Sequence, residues 1–217
     1  MSQELVKKTA DYVKHHLGIG ATGHDWFHIE RVWRMAKKLQ AKEGGDLENV
    51  ELIALLHDLG DSQERLEFIK NQSDLILHGM MDILGFEPAK QELIIKAVDE
   101  IQYRGTETKT PTTLEAKIVQ DADWLDAVGV VGIARTFATG GRIKRVFHDP
   151  KRKPRRSLTE DDYLNRKLQG TSFNYFYEKV LRLPKMMNTK TAKITADERI
   201  KYLENFLAEF QKEWNGE

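Results

Sequence analysis

The sequence predicts an all-α protein: a compact, single-domain, multi-helix array. Three observations point there. Apolar residues recur at the three-to-four-residue spacing of a helix over nearly the whole chain. Proline is rare, with five in 217 residues, and the glycines fall mostly between the periodic segments, where helices stop. No stretch alternates apolar and polar residues long enough to argue for a sheet.

The elements follow in order. Ser2 to Leu17 reads as an amphipathic helix stopped by Gly18 and Gly20. Asp25 is placed to cap a helix from Trp26 to about Lys42, with Ile29, Val32, Trp33, Ala36 and Leu39 inward and Gly44-Gly45 ending it. Asp46 begins a third helix whose run Leu52 to Leu56 is apolar all round, so this helix is expected to be central and buried. Ser73 to Leu84 and Pro88 to Tyr103 come next, Pro88 suiting a first turn. Thr112 or Thr113 can cap a helix reaching Asp126, and Val128 to Ala138 is a further helix closed by Gly140-Gly141. Arg142 to Arg156, with two prolines and eight Lys or Arg residues, reads as a long basic loop. Asp161 to Leu183 is expected as one helix broken by Pro184, and a last helix as running from about Thr191 to Trp214. The domain expectation is one unit over 1–217, with a core near 20–140 and helices of 160–214 packed on it.

Composition narrows the function. Hydrophobic residues are 40% and charged residues 31%, an ordinary globular profile. Lys plus Arg and Asp plus Glu are both 34, so no overall field draws in nucleic acid or an anionic membrane. An anionic substrate must then be captured by a local cluster or a metal. The absence of cysteine removes disulfides, thiolate zinc sites and cysteine nucleophiles. With no signal-type N-terminus and no bilayer-length apolar run, the expected location is the cytoplasm.

Three segments stand out: Gly23-His24-Asp25-Trp26-Phe27-His28 with Arg31 following, Leu56-His57-Asp58-Leu59-Gly60-Asp61, and Gln120-Asp121-Ala122-Asp123-Trp124-Leu125-Asp126, whose carboxylates sit in an otherwise apolar segment. In the second, an apolar helix delivers an imidazole and a carboxylate on adjacent residues. Burying a carboxylate costs several kcal/mol unless something compensates it, and a divalent ion does so. By itself the doublet reads equally well as a metal pair or as a helix end, with Asp58 capping and His57 hydrogen-bonded in the core. His24 and His28 are four apart and can share a helix face, but the glutamate of a zincin helix is missing. Asp121 and Asp126 read as solvated or as partners of Lys117 and Arg135.

Together these segments resemble the HD superfamily of metal-dependent phosphohydrolases, whose pattern is a His, a His-Asp doublet and a distant Asp in a helix. His28, His57-Asp58 and Asp123 match it in order. Thr113 to Asp123, Gly132-Ile133-Ala134-Arg135 and Met187 to Ala192 further resemble a bacterial subgroup of small, single-domain HD hydrolases. The resemblance implies the HD-type helical fold and one divalent ion held by His28, His57, Asp58 and Asp123. Manganese is favoured, with Fe2+, Co2+, Ni2+ and Zn2+ suited to the same donors. It implies hydrolysis of nucleotides, foremost nucleoside triphosphate to monophosphate plus pyrophosphate. Nucleoside monophosphate phosphatase activity and a non-enzymatic nucleotide- or protein-binding scaffold are the alternatives. The extra histidines of cyclic-dinucleotide phosphodiesterases are missing, since only His78 lies between the doublet and Asp123; of the acidic pair of alarmone hydrolases only Asp61 is present.

Asp61, one turn after His57, is the candidate for orienting or deprotonating water. Arg31, Arg104, Lys117 and Arg142 are the candidate substrate cations. Arg31 is three residues past His28 and on its face, whereas Lys117 need not share the face of Asp123. Lys179 and Lys190 are further cations in the C-terminal half. The basic loop reads as a nucleotide lid or a plain loop rather than a nucleic-acid stripe. The expected partner is a small phosphate compound, with no membrane; a homodimer stays open.

Overall fold

The computed structural model describes residues 2–18, 25–59, 73–164 and 170–217. All regular structure among the described residues is helical: α1 Ser2–Leu17, α2 Trp26–Glu43, α3 Leu47–Leu56, α4 Ser73–Leu84, α5 Pro88–Glu100, α6 Leu114–Ala127, α7 Val130–Arg142, α8 Glu160–Leu164, α9 Ser172–Glu178, α10 Leu183–Met186 and α11 Lys190–Asn215, with short 3-10 turns at Gly105–Glu107 and Val180–Arg182. The chain divides into two compact units, one of 1–102 and 109–122, the other of 103–108 and 123–217, so the boundary falls inside α6.

In the first unit α3 is the centre, packed against α1, α2 and α5. Every residue from Val50 to Leu56 is buried, as the all-round apolar run requires. Glu51 is the charged member of that run. Trp33 donates its Nε1 to the Glu51 carboxylate at 3.0 Å and Lys37 pairs with it at 3.0 Å, so α2 neutralises the charge α3 buries. Asp25 and Asp46 cap α2 and α3 as expected, accepting from His28 N and Asn49 N. Of the two threonines offered as the α6 cap, Thr113 accepts from Ala116 N, while Thr112 donates its amide and hydroxyl to Glu100.

In the second unit α7, α9 and α11 surround an aromatic cluster. Phe137 of α7 meets Phe147, Phe176, Phe206 and Phe210 at centroid distances of 4.8 to 6.2 Å, and Phe173 stacks on Phe210 at 4.5 Å. Aromatic pairs at such distances add to the stabilisation from burial.

Several boundaries differ from the expected ones. The helix at Val130 runs through Gly140-Gly141 and ends at Arg142, so Arg142 belongs to the last turn of α7 rather than opening a loop. Gly140 is needed for clearance: a Cβ there would collide with the Ser172 hydroxyl. The helix of Pro88 stops at Glu100, short of Tyr103. Among its described residues the segment 161–183 is not one helix but holds α8, α9 and a 3-10 turn, and Pro184 opens α10 instead of breaking a helix, since a first turn has no need of its missing N–H.

The basic segment is tied down. Phe147 O and Val146 O accept from Phe173 N and Ser172 N at the start of α9. Glu178, 2% exposed, takes the Arg155 amide at 3.0 Å and two guanidinium N–H groups at 3.2 and 2.9 Å. Asn174 donates to Arg152 O and Arg182 to Arg155 O. Backbone and side-chain bonds thus anchor the segment to α9 and the turn that follows it.

Candidate metal centre

His28 arrives on the first turn of α2. The Asp25 side chain accepts from the His28 amide at 3.2 Å, so the cap that starts the helix also fixes the backbone carrying the imidazole. The side chain lies on the same buried face as Ile29 and Val32 and is 1% exposed. His57 and Asp58 arrive where α3 ends. His57 is the C-terminal cap of the helix, and Leu59 N bonds Leu56 O in the turn that follows. That turn lets two neighbouring residues, which a continuing helix would splay about 100° apart, serve one place. Gln102, just beyond α5, donates to the His57 carbonyl at 3.2 Å and to Val98 O at 3.1 Å, holding the turn from the other side.

The donor atoms converge. His57 Nε2 lies 3.3 Å from His28 Nε2, and the latter 3.7 Å from Asp58 Oδ2. One ligand atom from each of the three falls within 4.8 Å of the others. His57 Nδ1 stands 2.8 Å from the Ala54 carbonyl. A carbonyl only accepts, so Nδ1 carries the proton, and the neutral ring offers an Nε2 lone pair. The same arrangement fixes the tautomer of histidines that bind metals. Two nitrogens bound to one ion at about 2.1 Å and separated by an angle near 100° lie about 3.2 Å apart. The residues therefore fit a divalent ion of the kind that takes mixed imidazole and carboxylate donors. The side chain of Asp58 is 14% exposed against 1% for His28, so the carboxylate is the more accessible of the two donors.

Asp123 lies on α6, in the second unit, and is half-buried. Lys179 is its notable neighbour in electrostatic terms. The Lys179 ammonium donates to the Tyr163 hydroxyl at 2.9 Å and sits 4.3 and 4.8 Å from the ring centroids of Tyr103 and Tyr163. Burial opposes its charge, but the Tyr163 and Tyr175 hydroxyls and the Asp123 carboxylate outweigh that and raise its pKa above the usual lysine value. Lys179 is thus a fixed cation walled by tyrosines, an environment the spacing of its neighbours in sequence does not reveal. Asp126 pairs with Arg135 at 2.7 Å, as expected of it; Asp121 is fully buried rather than solvated.

The candidate cations fare differently. Arg31 is half-buried on α2, one turn beyond His28. Lys117 is half-buried on α6 and makes no ion pair among the described residues. Arg104 is paired with Glu160 at 2.6 Å, so part of its charge is already committed. Arg142 is exposed. Asp61 lies outside the described residues. His78 is half-buried with Nδ1 2.9 Å from Gln91 Oε1.

Comparison with known proteins places this geometry. The HD domain family pattern matches residues 26–128, a span holding all four expected ligands. A solved HD-superfamily hydrolase from Bacillus thuringiensis is 37% identical, with all of both chains covered and a TM-score of 0.73. The chain belongs to the HD superfamily of metal-dependent phosphohydrolases. YpgQ of Bacillus subtilis (strain 168) is 34% identical over 201 residues, which make up 90% of this chain and 87% of YpgQ. Its structure in complex with ADP superimposes on this HD protein with a TM-score of 0.72 over 98% of this chain and 96% of that one, at 29% identity in that superposition. A Lactobacillus plantarum protein of known structure is closer in shape, with a TM-score of 0.88 at 30% identity and 98% of both chains covered. No helix among the described residues is long and apolar enough to cross a membrane.

Proposed function

We propose that this HD protein hydrolyses nucleoside triphosphates to the monophosphate and pyrophosphate, with one divalent ion, manganese by preference, held by His28, His57, Asp58 and Asp123. The observation that carries the reading is the convergence of the two Nε2 atoms and the Asp58 carboxylate; Asp123 joins them on the order of the sequence pattern. Bound there, a divalent ion would acidify water and neutralise charge on phosphoryl oxygens. The protein's own groups do the rest. The Ala54 carbonyl accepts from His57 Nδ1 and so holds the ring with Nε2 turned for binding. Asp25 and Gln102 hold the backbones of the two histidines in place, which preserves a site that a shift of about 1 Å would cost dearly.

The nucleotide substrate class is supported by the relative YpgQ, which was solved with ADP. A triphosphate also needs cations besides the metal. Arg31 and Lys117 are assigned that role first, Arg142 next, and Arg104 last because Glu160 already engages it. The role of Asp61 as water-orienting base rests on its place one turn after His57 in the sequence.

The test is a panel of ribo- and deoxyribonucleotides incubated with manganese, with pyrophosphate and orthophosphate assayed separately. Pyrophosphate release from triphosphates, abolished in His57→Ala, is expected. Orthophosphate and nucleoside released from monophosphates, with no pyrophosphate from triphosphates, would instead make the protein a monophosphatase.

A further inference from the structure

The second unit contains a cavity of about 490 Å³, lined in part by His148, Arg152, Lys153, Asn174, Tyr177 and Trp214. None of these residues belongs to the expected metal set, and the volume lies in the range of small-molecule sites, about 300–1,000 Å³. Its walls combine three chemistries. Tyr177 and Trp214 supply aromatic surface, and Trp214 is 47% exposed although it stacks on Phe210 and meets the His148 ring edge-on. Lys153 is exposed and makes no ion pair among the described residues, while Arg152 shares its charge with Asp149 at 3.1 Å. Asn174 is 3% exposed and donates its Nδ2 to Arg152 O, which leaves its Oδ1 as the acceptor of a buried polar side chain on the cavity wall.

His148 adds a further point. Its Nδ1 is buried and has no hydrogen-bond partner, a condition that costs about 1–3 kcal/mol wherever it persists. Burial, opposed by Asp149, holds its pKa below the usual histidine value, which favours the neutral ring. Neutral imidazole and amide groups suit the edge of a heterocyclic base, aromatic faces suit its ring, and the lysine and arginine suit a phosphate. A plain hydrophobe would leave the polar groups without partners, and an inorganic anion would leave the aromatic walls uncovered.

We propose that this cavity is a second ligand site, distinct in its residues from the metal centre, which takes a mononucleotide with its base against Trp214 and Tyr177 and its phosphate at Lys153 and Arg152. It gives the basic segment a task that its anchoring to α9 permits: the segment presents its cations from a rigid mount rather than closing over a substrate. An extended single strand is the less favoured occupant, because the chain has no net positive charge and only two of the cavity residues are cationic.

The test is calorimetric titration of AMP, adenosine, ribose 5-phosphate and a ten-residue oligothymidylate into the EDTA-treated protein, repeated with His57→Ala. Binding of AMP that survives removal of the metal and exceeds that of adenosine and ribose 5-phosphate is expected. The double variant Arg152→Gln/Lys153→Gln should weaken it by about tenfold or more, the scale of a lost charge-assisted contact, and Trp214→Ala by at least about fivefold, the scale of a lost stacking contact. Both changes fall on exposed side chains, and circular dichroism serves as the folding control. The proposal is overturned if AMP does not bind the metal-free protein at millimolar concentration, if neither variant changes the affinity, or if the oligothymidylate binds more tightly than AMP. Loss of this site would leave pyrophosphate release by the wild-type protein untouched, so the two readings fail separately.

Discussion

Breaking the Arg155–Glu178 pair should cost the protein several kcal/mol, with the larger loss coming from the arginine side. Glu178 is 2% exposed and Arg155 29%. Two guanidinium N–H groups and the Arg155 amide converge on the carboxylate. At 2.9 Å and an effective dielectric near 20, the Coulomb attraction is about 6 kcal/mol, and desolvation of the two groups offsets much of it. Arg155 Nη1 is itself buried with no partner, so the pair is imperfectly compensated and its net value is lower still. Removing one partner is a different matter, because it leaves the other charge buried alone. Arg155→Met strands the almost fully buried carboxylate and should cost about 3–5 kcal/mol. Glu178→Gln strands a guanidinium that still reaches water and should cost about 2–3 kcal/mol. For a chain of this size each kcal/mol shifts Tm by about 2–4 °C, so differential scanning calorimetry resolves the order. The double variant Arg155→Met/Glu178→Met should cost less than Arg155→Met alone. If both single variants melt within about 0.5 kcal/mol of the parent, inside the range of ordinary surface changes, the anchoring of the basic segment has been misjudged.

Other consequences are equally specific. Gly105 has φ +60°, and a Cβ there would strike the Leu158 carbonyl; Gly105→Ala should lose about 2–4 kcal/mol, whereas Gly85→Ala, at φ +79° with open space around it, should lose only about 1 kcal/mol in a urea titration. Asp25→Ala should cost about 1 kcal/mol in cap energy and also weaken manganese binding measured by calorimetry, because the same carboxylate fixes the His28 amide; an unchanged affinity would separate the cap from the site. Because the folded pKa of His148 is depressed below its reference value of 6.5, the unfolded chain binds the more protons as pH falls from about 7 through the folded value, and stability is lost in that window. His148→Phe should therefore flatten the fall in Tm between about pH 7 and pH 5, and a slope identical to the parent's would contradict the assignment.

The helices were legible because burial imposes a 3.6-residue pattern that single residues cannot hide. The bounds of α1 and α4 agree with the expected ones, and α3 could be placed at the centre from its unbroken run Leu52 to Leu56 alone. Termination was harder to read. Gly140-Gly141 looks like a stop, yet the helix runs through it, and Gly140 gives clearance for Ser172, a contact remote in sequence. Pro184 looks like a break but opens a short helix. For the metal centre, the buried-carboxylate argument left the His57-Asp58 doublet as either a metal pair or a helix end, and it was the resemblance to the HD pattern that joined His28, His57 and Asp58 into one ligand set. Gln102 was not legible, because it acts on the His57 backbone from the turn after α5, remote in sequence. Nor was the setting of Lys179, whose tyrosine walls come from three separate segments.

The proposed hydrolysis requires His28 and His57 to bind the same ion. Metal-free protein reloaded with manganese, desalted and analysed for metal should retain one ion per chain, and His28→Ala and His57→Ala should each retain almost none. Undiminished manganese in either variant, with the fold intact by circular dichroism, would contradict the shared site and remove the basis for the hydrolysis assigned to it.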